Sequence, residues 1–294
     1  MTAADGRGVA LVAADAYCRA LLRHYENFTV ASRLTPPALR RDLARVYAFC
    51  RTTDDIGDET GDAKLAVALL ERWRRDLLDI FDSNVPPQHP VMLALAATVR
   101  RHALPAQPFG DLIDANVQDQ TVSSYADWAA LRDYCARSAA PVGRIVLKLN
   151  GYDDSERVAL SDSVCIGLQL ANFAQDVGVD ARKGRCYLLQ DEIRAHGPEG
   201  AVRAMCARAR ALLDQGRALE LSVAPRLRVQ LALYRLGGLA ILDAIERAGY
   251  RTATIRPAVS TPDRGRIATG AMRTAMRRSP RAARAISAEA VSDG

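Results

Sequence analysis

Apolar residues recur every three to four positions through most of this chain, and alternation of apolar with polar residues at every second position is almost absent. The stretches "LARVYAFC" (43–50), "LLERWRRDLLDIF" (69–81) and "LALYRLGGLAILDAIERAGY" (231–250) all read this way. A period of 3.6 gathers apolar side chains on one face of a helix and scatters them over both faces of a strand, so an all-α chain is expected. Pro, Gly and Asn cluster at 83–90, 104–111, 150–155, 195–200 and 255–263, which are expected to break helices. None is long enough to link separate domains. With 294 residues and 49% hydrophobic content, one helical domain over 1–260 with a sizeable core is expected. Residues 261–294 are small, basic and poor in large apolar side chains; they read as a flexible C-terminal tail, with a peripheral membrane contact through the arginines as the sharper alternative.

The formal charge of +6 comes almost wholly from arginine, because Lys64, Lys148 and Lys183 are the only lysines. The arginines are spread along the chain rather than gathered into a stripe, which argues against nucleic acid as a partner. Six cysteines without a CxxC pair, and no histidines at zinc-ligand spacing, argue against a disulfide framework or a zinc site. Reduced thiols in a cytoplasm are expected. The N-terminus lacks the pattern of a signal peptide, and no run approaches the roughly 18 apolar residues of a membrane span. GxSxG, P-loop, HExxH and GxGxxG patterns are absent, as are the ExxH pairs of a di-iron bundle.

Against this background "CRTTDDIGDE" (50–59) stands out, with four acids within six positions directly after an apolar run. Taken alone it suits a solvated helix end equally well, and Gly57 hints at a nearby break. On a helix, however, Tyr47, Arg51, Asp54 and Asp58 are four, three and four apart and share one face, while Val46, Ala48, Phe49, Cys50 and Ile56 are mostly apolar. A second segment, "GLQLANFAQDVGVDARKGRCYL" (167–188), repeats the arrangement with Gln169, Asn172, Asp176 and Asp180. Here Leu168, Leu170, Ala171, Phe173, Ala174, Val177 and Val179 fill the other faces. Carboxylate pairs on otherwise apolar helices repel each other and lose hydration unless a cation sits between them. Oxygen-only ligands that leave room for water and phosphate oxygens suit Mg²⁺, which would be held by Asp54, Asp58, Asp176 and Asp180. Bound Mg²⁺ attracts a diphosphate, whose shell Arg51, Lys183 and Arg185 would complete, with Tyr47 and Tyr187 as hydrogen-bond donors. The implied chemistry is departure of a diphosphate leaving group.

"YAFCRTTDDIGDE" and "QLANFAQDVGVDARKGRCYL" resemble the two aspartate-rich motifs of the squalene and phytoene synthase family. The likeness extends through "ENFTVASRLTPPALRRDLARVYAF", "DQTVSSYADWAALRDYCARSAAPVGRIVL" and "LGGLAILDAIERAGY", over roughly residues 15–250. "ENFTVAS" and "ANFAQDVGVD" are most similar to the bacterial hydroxysqualene synthases. The resemblance implies a single-domain isoprenoid synthase helical fold with a central cavity and the two motifs on opposite walls. It also implies that Mg²⁺ and a prenyl diphosphate are held there, with Tyr47, Arg51, Gln169, Asn172, Arg185 and Tyr187 on the diphosphate side. Phe28, Tyr47 and Phe173 would steady the cation left behind through their π faces. In the hydroxysqualene branch, presqualene diphosphate rearranges and water ends the reaction.

Departures from that branch fall where the acceptor should be chosen. Asn116 and Val117 stand where Phe and Arg are usual, Ser124 where Arg is common, Asn150 where an aromatic is usual, and Leu189 in place of Pro. Asn116 and Asn150 would make a hydrocarbon cavity more polar. The alternative they raise is prenyl transfer to a second small molecule, a non-isoprenoid aromatic acceptor. A noncatalytic helical protein retaining its acidic stripes is the reading outside enzymology.

Overall fold

The structure, a computed structural model, describes residues 3–22, 35–82 and 87–276. Among them the chain forms α1 (Ala3–Leu21), α2 (Pro37–Glu59), α3 (Ala63–Phe81), α4 (Pro90–His102), α5 (Gln107–Gln118), α6 (Trp128–Ser138), α7 (Ala140–Leu149), α8 (Ser155–Gln175), α9 (Val177–Arg182), α10 (Gln190–Gln215), α11 (Arg217–Ser222), α12 (Pro225–Arg247) and α13 (Thr261–Met276). No strand occurs among the described residues, as the periodicity predicts. Pro37, Pro90, Pro108, Pro141 and Pro225 all lie in the first turn of a helix, where a missing N–H costs nothing. Asp62 and Asp154 cap α3 and α8, accepting from the amides of Leu65 (2.8 Å) and Arg157 (3.1 Å). The break expected at 195–200 falls inside α10, which turns at Gly197 (φ 71°, ψ 175°) ahead of Pro198. No described helix is long and apolar enough to cross a membrane.

Packing gathers the chain into two compact units. The first comprises Met1–Ser123 with Ala136–Asp153, the second Ser124–Cys135 with Asp154–Gly294. In the first unit the core gathers Phe49, Leu70, Trp73, Leu77, Met92, Leu95, Phe109, Ile113 and Ile145. Phe49 stacks on Trp73 (centroids 5.7 Å apart) and meets Phe109 edge-on (5.2 Å). The Trp73 indole N–H donates to Thr53 Oγ1 at 2.9 Å, and the Thr53 hydroxyl donates to Phe49 O at 2.8 Å, so neither buried polar group is orphaned.

A charged knot ties α1, α2 and α4 together beside this core. Arg45, 1% exposed, donates to both carboxylate oxygens of Asp15 (2.7 and 3.0 Å) and to Asp42 Oδ1 and Thr98 Oγ1. Asp42 also receives Thr98, Arg101 and His102. Burial acts to raise the Asp42 carboxyl, but the hydrogen bonds from His102, Thr98 and Arg101 outweigh it and hold the group below its ordinary range.

In the second unit α8, α10 and α12 enclose Leu170, Val202, Met205, Ala209, Leu213, Leu242 and Ile245. A buried pair, Arg235 with Glu220 (2.5 and 3.3 Å), joins α12 to α11. The segment read as tail is shorter than expected. Residues 261–276 form α13, which packs on α12 with Ala271 buried, and Asp263 accepts from Arg247 at 2.9 Å and from Ser260 Oγ at 2.6 Å. Residues 277–294 lie outside the described residues.

Candidate active site

The first aspartate segment closes α2. Its helix buries Leu43, Val46, Phe49, Thr53 and Gly57, leaving Tyr47 and Arg51 half-buried and Asp54 and Asp58 exposed along the opposite stripe. The expected common face is therefore present. Gly57 does not break the helix: it is buried within it, and the turn comes at Gly61 (φ 75°). Arg51 reaches Asp55 at 2.7 Å and Glu59 at 3.3 Å, so the two acids off the stripe hold the guanidinium that the stripe carries.

Asp54 is accessible to solvent yet crowded by protein atoms, as a side chain in the wall of a recess would be. Crowding pushes its carboxyl from 3.8 up to about 6; the amide of Asn116 works against the rise, and the like charge of Asp58 adds to it. Asn116, on α5, donates from Nδ2 to Asp54 Oδ1 (3.2 Å) and to Leu112 O (3.0 Å). Gln120 Nε2 donates to Gly57 O at 3.1 Å and to Asn116 O at 3.0 Å, lacing α5 to α2. Asn116 is thus a partner of the first motif, which its assignment to the acceptor side did not anticipate. Asn150 likewise has a local role: it ends α7, and its Nδ2 donates to Val146 O at 2.8 Å.

The second aspartate segment departs from the expected continuous helix. Helix α8 carries Gln169 and Asn172 and stops at Gln175; Asp176 is the joint (φ −101°, ψ 16°), and Asp180 lies on α9. The spacing of four survives, because the amide of Asp180 donates to Asp176 O at 2.8 Å. The break arises from residues 252–257, which dock here. Gln175 Nε2 donates to Pro257 O (2.6 Å), and the amide of Gly178 turns to Thr252 O (3.2 Å). A Cβ at Gly178 would stand 2.4 Å from Ala253 O, so only glycine permits this approach. The docked segment delivers Arg256, which grips Asp176 through Nε–Oδ1 (2.5 Å) and Nη2–Oδ2 (3.1 Å). The sequence contained no sign of Arg256, which lies in a segment read only as a helix break.

After α9 the amides of Lys183 and Arg185 both donate to Asp180 O at 2.9 Å around Gly184 (φ 73°), so this tight turn carries both cationic side chains beside the motif. The ring of Tyr187, whose hydroxyl is expected to donate to a diphosphate, is buried in an aromatic stack. It lies 3.8 Å from that of Phe173 at 7°, and Tyr134 (5.8 Å) and Tyr125 (5.9 Å) flank it. Tyr125 and Tyr134 are members of this wall that the spacing rules did not reveal. Phe28 lies outside the described residues.

No group of three or more His, Cys, Asp or Glu able to hold a metal ion stands together among the described residues. The carboxylates come in pairs, Asp54 with Asp58 in the first unit and Asp176 with Asp180 in the second. Such pairs fit a hard cation that keeps several waters; at Asp54 burial and the like charge of Asp58 outweigh Asn116 and the Arg51 guanidinium, so a further positive charge would be welcome there. A consequence for pH follows. Because a cation must displace the Asp54 proton, Mn²⁺ affinity in an electron paramagnetic resonance titration is expected to be level above pH about 6 and to fall up to about tenfold per pH unit below it. The metal-free fold is expected to follow the opposite sense: with the folded value raised above 3.8, this group's stabilising contribution is present at low pH and lost as pH rises through about 6. Affinity independent of pH between 5 and 7 would show that Asp54 takes no part.

The sequence profile of the family described as squalene/phytoene synthase matches residues 21–263. The chain is 34% identical over 271 residues to phytoene synthase 3 of Zea mays, covering 84% of this chain and 62% of that protein. It is 32% identical over 262 residues to phytoene synthase 2 of Solanum lycopersicum, covering 81% and 82%. The chain thus spans a little under two thirds of the maize relative's length. Among solved structures, squalene synthase HpnC of Alicyclobacillus acidocaldarius superposes with a TM-score of 0.76 at 44% identity, over 82% of this chain and 96% of that one. A dehydrosqualene synthase shares the fold at 21% identity and a TM-score of 0.78. An all-helical chain matched to one profile over most of its length, with relatives at this level of identity, belongs to the squalene/phytoene synthase family of isoprenoid synthases.

Proposed function

We propose that this chain ionises an isoprenoid diphosphate with Mg²⁺ and converts presqualene diphosphate to hydroxysqualene. The observation that carries the reading is the pair of aspartate segments, Asp54/Asp58 and Asp176/Asp180, each kept whole and accompanied by Arg51 in one unit and by Arg185 and an aromatic wall in the other. The 44% identity to a squalene synthase over nearly all of that protein supports the choice of substrate. Mg²⁺, when held by these carboxylates, supplies charge to the departing diphosphate. Arg51 in the first unit and Lys183 and Arg185 in the second would bind diphosphate oxygens, and Gln169 and Asn172, on α8, would add hydrogen bonds. The C–O bond breaks with its electron pair leaving on the diphosphate. The cyclopropylcarbinyl cation that remains is steadied by the π faces of Tyr47 and Phe173 and shielded from bulk water. After rearrangement one water adds to the cation and gives up a proton, so presqualene diphosphate and water yield hydroxysqualene and diphosphate.

Prenyl transfer to an aromatic acceptor, the alternative raised by Asn116, Ser124 and Asn150, is the less favoured reading, because the two asparagine amides have partners within the protein. The Asn116 amide is engaged by Asp54 and Leu112 O, that of Asn150 by Val146 O, and Ser124 pairs through its backbone with Cys186. Both the substrate and the product carry long hydrocarbon tails, and α13 exposes Met272 and Met276 on a helix that also carries Arg266 and Arg273; this supports a peripheral membrane contact, which co-sedimentation with anionic vesicles would test. The assignment itself is tested by incubating the purified chain and Mg²⁺ with presqualene diphosphate. Hydroxysqualene is the expected product; turnover of farnesyl or geranylgeranyl diphosphate instead, with presqualene diphosphate untouched, would overturn it.

A further inference from the structure

Asn116 and Gly57 meet in a contact that packing alone does not require. A Cβ at position 57 would lie 2.6 Å from Asn116 Oδ1, so the glycine of "DDIGDE" is a seat in α2 for this one amide. The amide is held from two sides, by Leu112 O at its nitrogen and by the bare α-carbon of Gly57 against its oxygen. Its Nδ2 is anchored on Leu112 O one turn back, and Gln120 braces the main chain beneath it by donating to the backbone carbonyl of Asn116 and to Gly57 O. What this scaffold presents is a single donor aimed at Asp54 Oδ1, 3.2 Å away. Leu112 O and Asp54 Oδ1 are both acceptors, which fixes the amide with its nitrogen toward the carboxylate. A carboxylate held through one oxygen by a rigid donor cannot swing freely about its last torsion, and less ordering is left for a cation to impose.

We propose that Asn116 is a positioning residue for cation binding at the first aspartate segment, acting through Asp54 and seated by Gly57. The proposal rests on the reading of Asp54 as a Mg²⁺ ligand. Partners of this kind, which touch a ligand rather than the metal, typically change metal affinity by about 10- to 100-fold. It accounts together for an asparagine where an aromatic is usual, for a glycine inside a helix, and for the position of Gln120.

The test is Mn²⁺ binding to the full chain in the presence of inorganic diphosphate, followed by electron paramagnetic resonance and calorimetry, with circular dichroism and a melting curve for each variant. Asn116→Leu keeps the volume and removes the donor, and is expected to weaken binding at least about tenfold without loss of the helical spectrum. Asn116→Ala serves if the leucine does not fold. Gly57→Ala leaves every polar group in place but pushes the amide off its seat, so it should produce the same loss, and the two changes together should cost no more than either alone. Wild-type affinity in Asn116→Leu or Asn116→Ala, while Asp54→Asn has lost binding, would overturn the role of Asn116. Wild-type affinity in Asp54→Asn would overturn the reading of Asp54 itself, and the inference with it.

Discussion

Asp54→Asn is expected to lower diphosphate release by about a thousandfold, because a cation-holding carboxylate is worth several kcal/mol to a leaving group that departs with negative charge. The substitution keeps the shape of the side chain and removes its charge. It also removes the repulsion from Asp58 and the cost of crowding an anion, so the metal-free protein should melt no earlier than wild type. Asp176→Asn should cost a similar factor in rate with a different accompaniment: Arg256, 58% exposed, loses the partner it grips through two nitrogens. A continuous assay coupling diphosphate release to a pyrophosphatase separates the possibilities. Unchanged release in either variant would support the noncatalytic reading, in which the acidic stripes do no chemistry.

The largest effect on stability is expected at Arg45. Arg45→Met would leave Asp15 and Asp42, both buried, without the guanidinium that bridges them, and breaking a buried pair from one side costs about 3–5 kcal/mol. Asp42 keeps His102, Thr98 and Arg101, so the greater part of the loss should come from Asp15. Asp15→Asn in the Arg45→Met background should therefore recover part of it. Urea denaturation followed by circular dichroism measures both variants, and a midpoint for Arg45→Met equal to wild type would show that the knot contributes nothing net.

The first aspartate stripe was legible because one unbroken helix carries it: spacing of three and four places Tyr47, Arg51, Asp54 and Asp58 on one face whatever surrounds them. The second was legible in its residues and misread in its backbone. Nothing between Gln169 and Asp180 announces the joint at Asp176, since it lies where a segment some 80 residues later takes the side chain of Gln175 and the backbone amide of Gly178 as donors. Tyr187 shows the same limit in a side chain. Its place beside Lys183 and Arg185 drew attention to its hydroxyl and gave no sign that its ring packs with Phe173, Tyr134 and Tyr125.

From its sequence alone this protein's helical class, its family and the residues of its two acidic stripes could be determined, because period, spacing and motif are local properties that a single helix expresses without help. Tertiary structure alone decided which groups complete them: Asn116 on Asp54 across 62 residues, Arg256 on Asp176 across 80, four aromatic rings drawn from three segments, and a helix within the presumed tail. Those choices depend on which helix faces approach within hydrogen-bond or van der Waals distance. That approach is set by packing over the whole unit, where the glycine at 178 admits a backbone that any side chain would keep out and the glycine at 57 leaves room for the amide of Asn116.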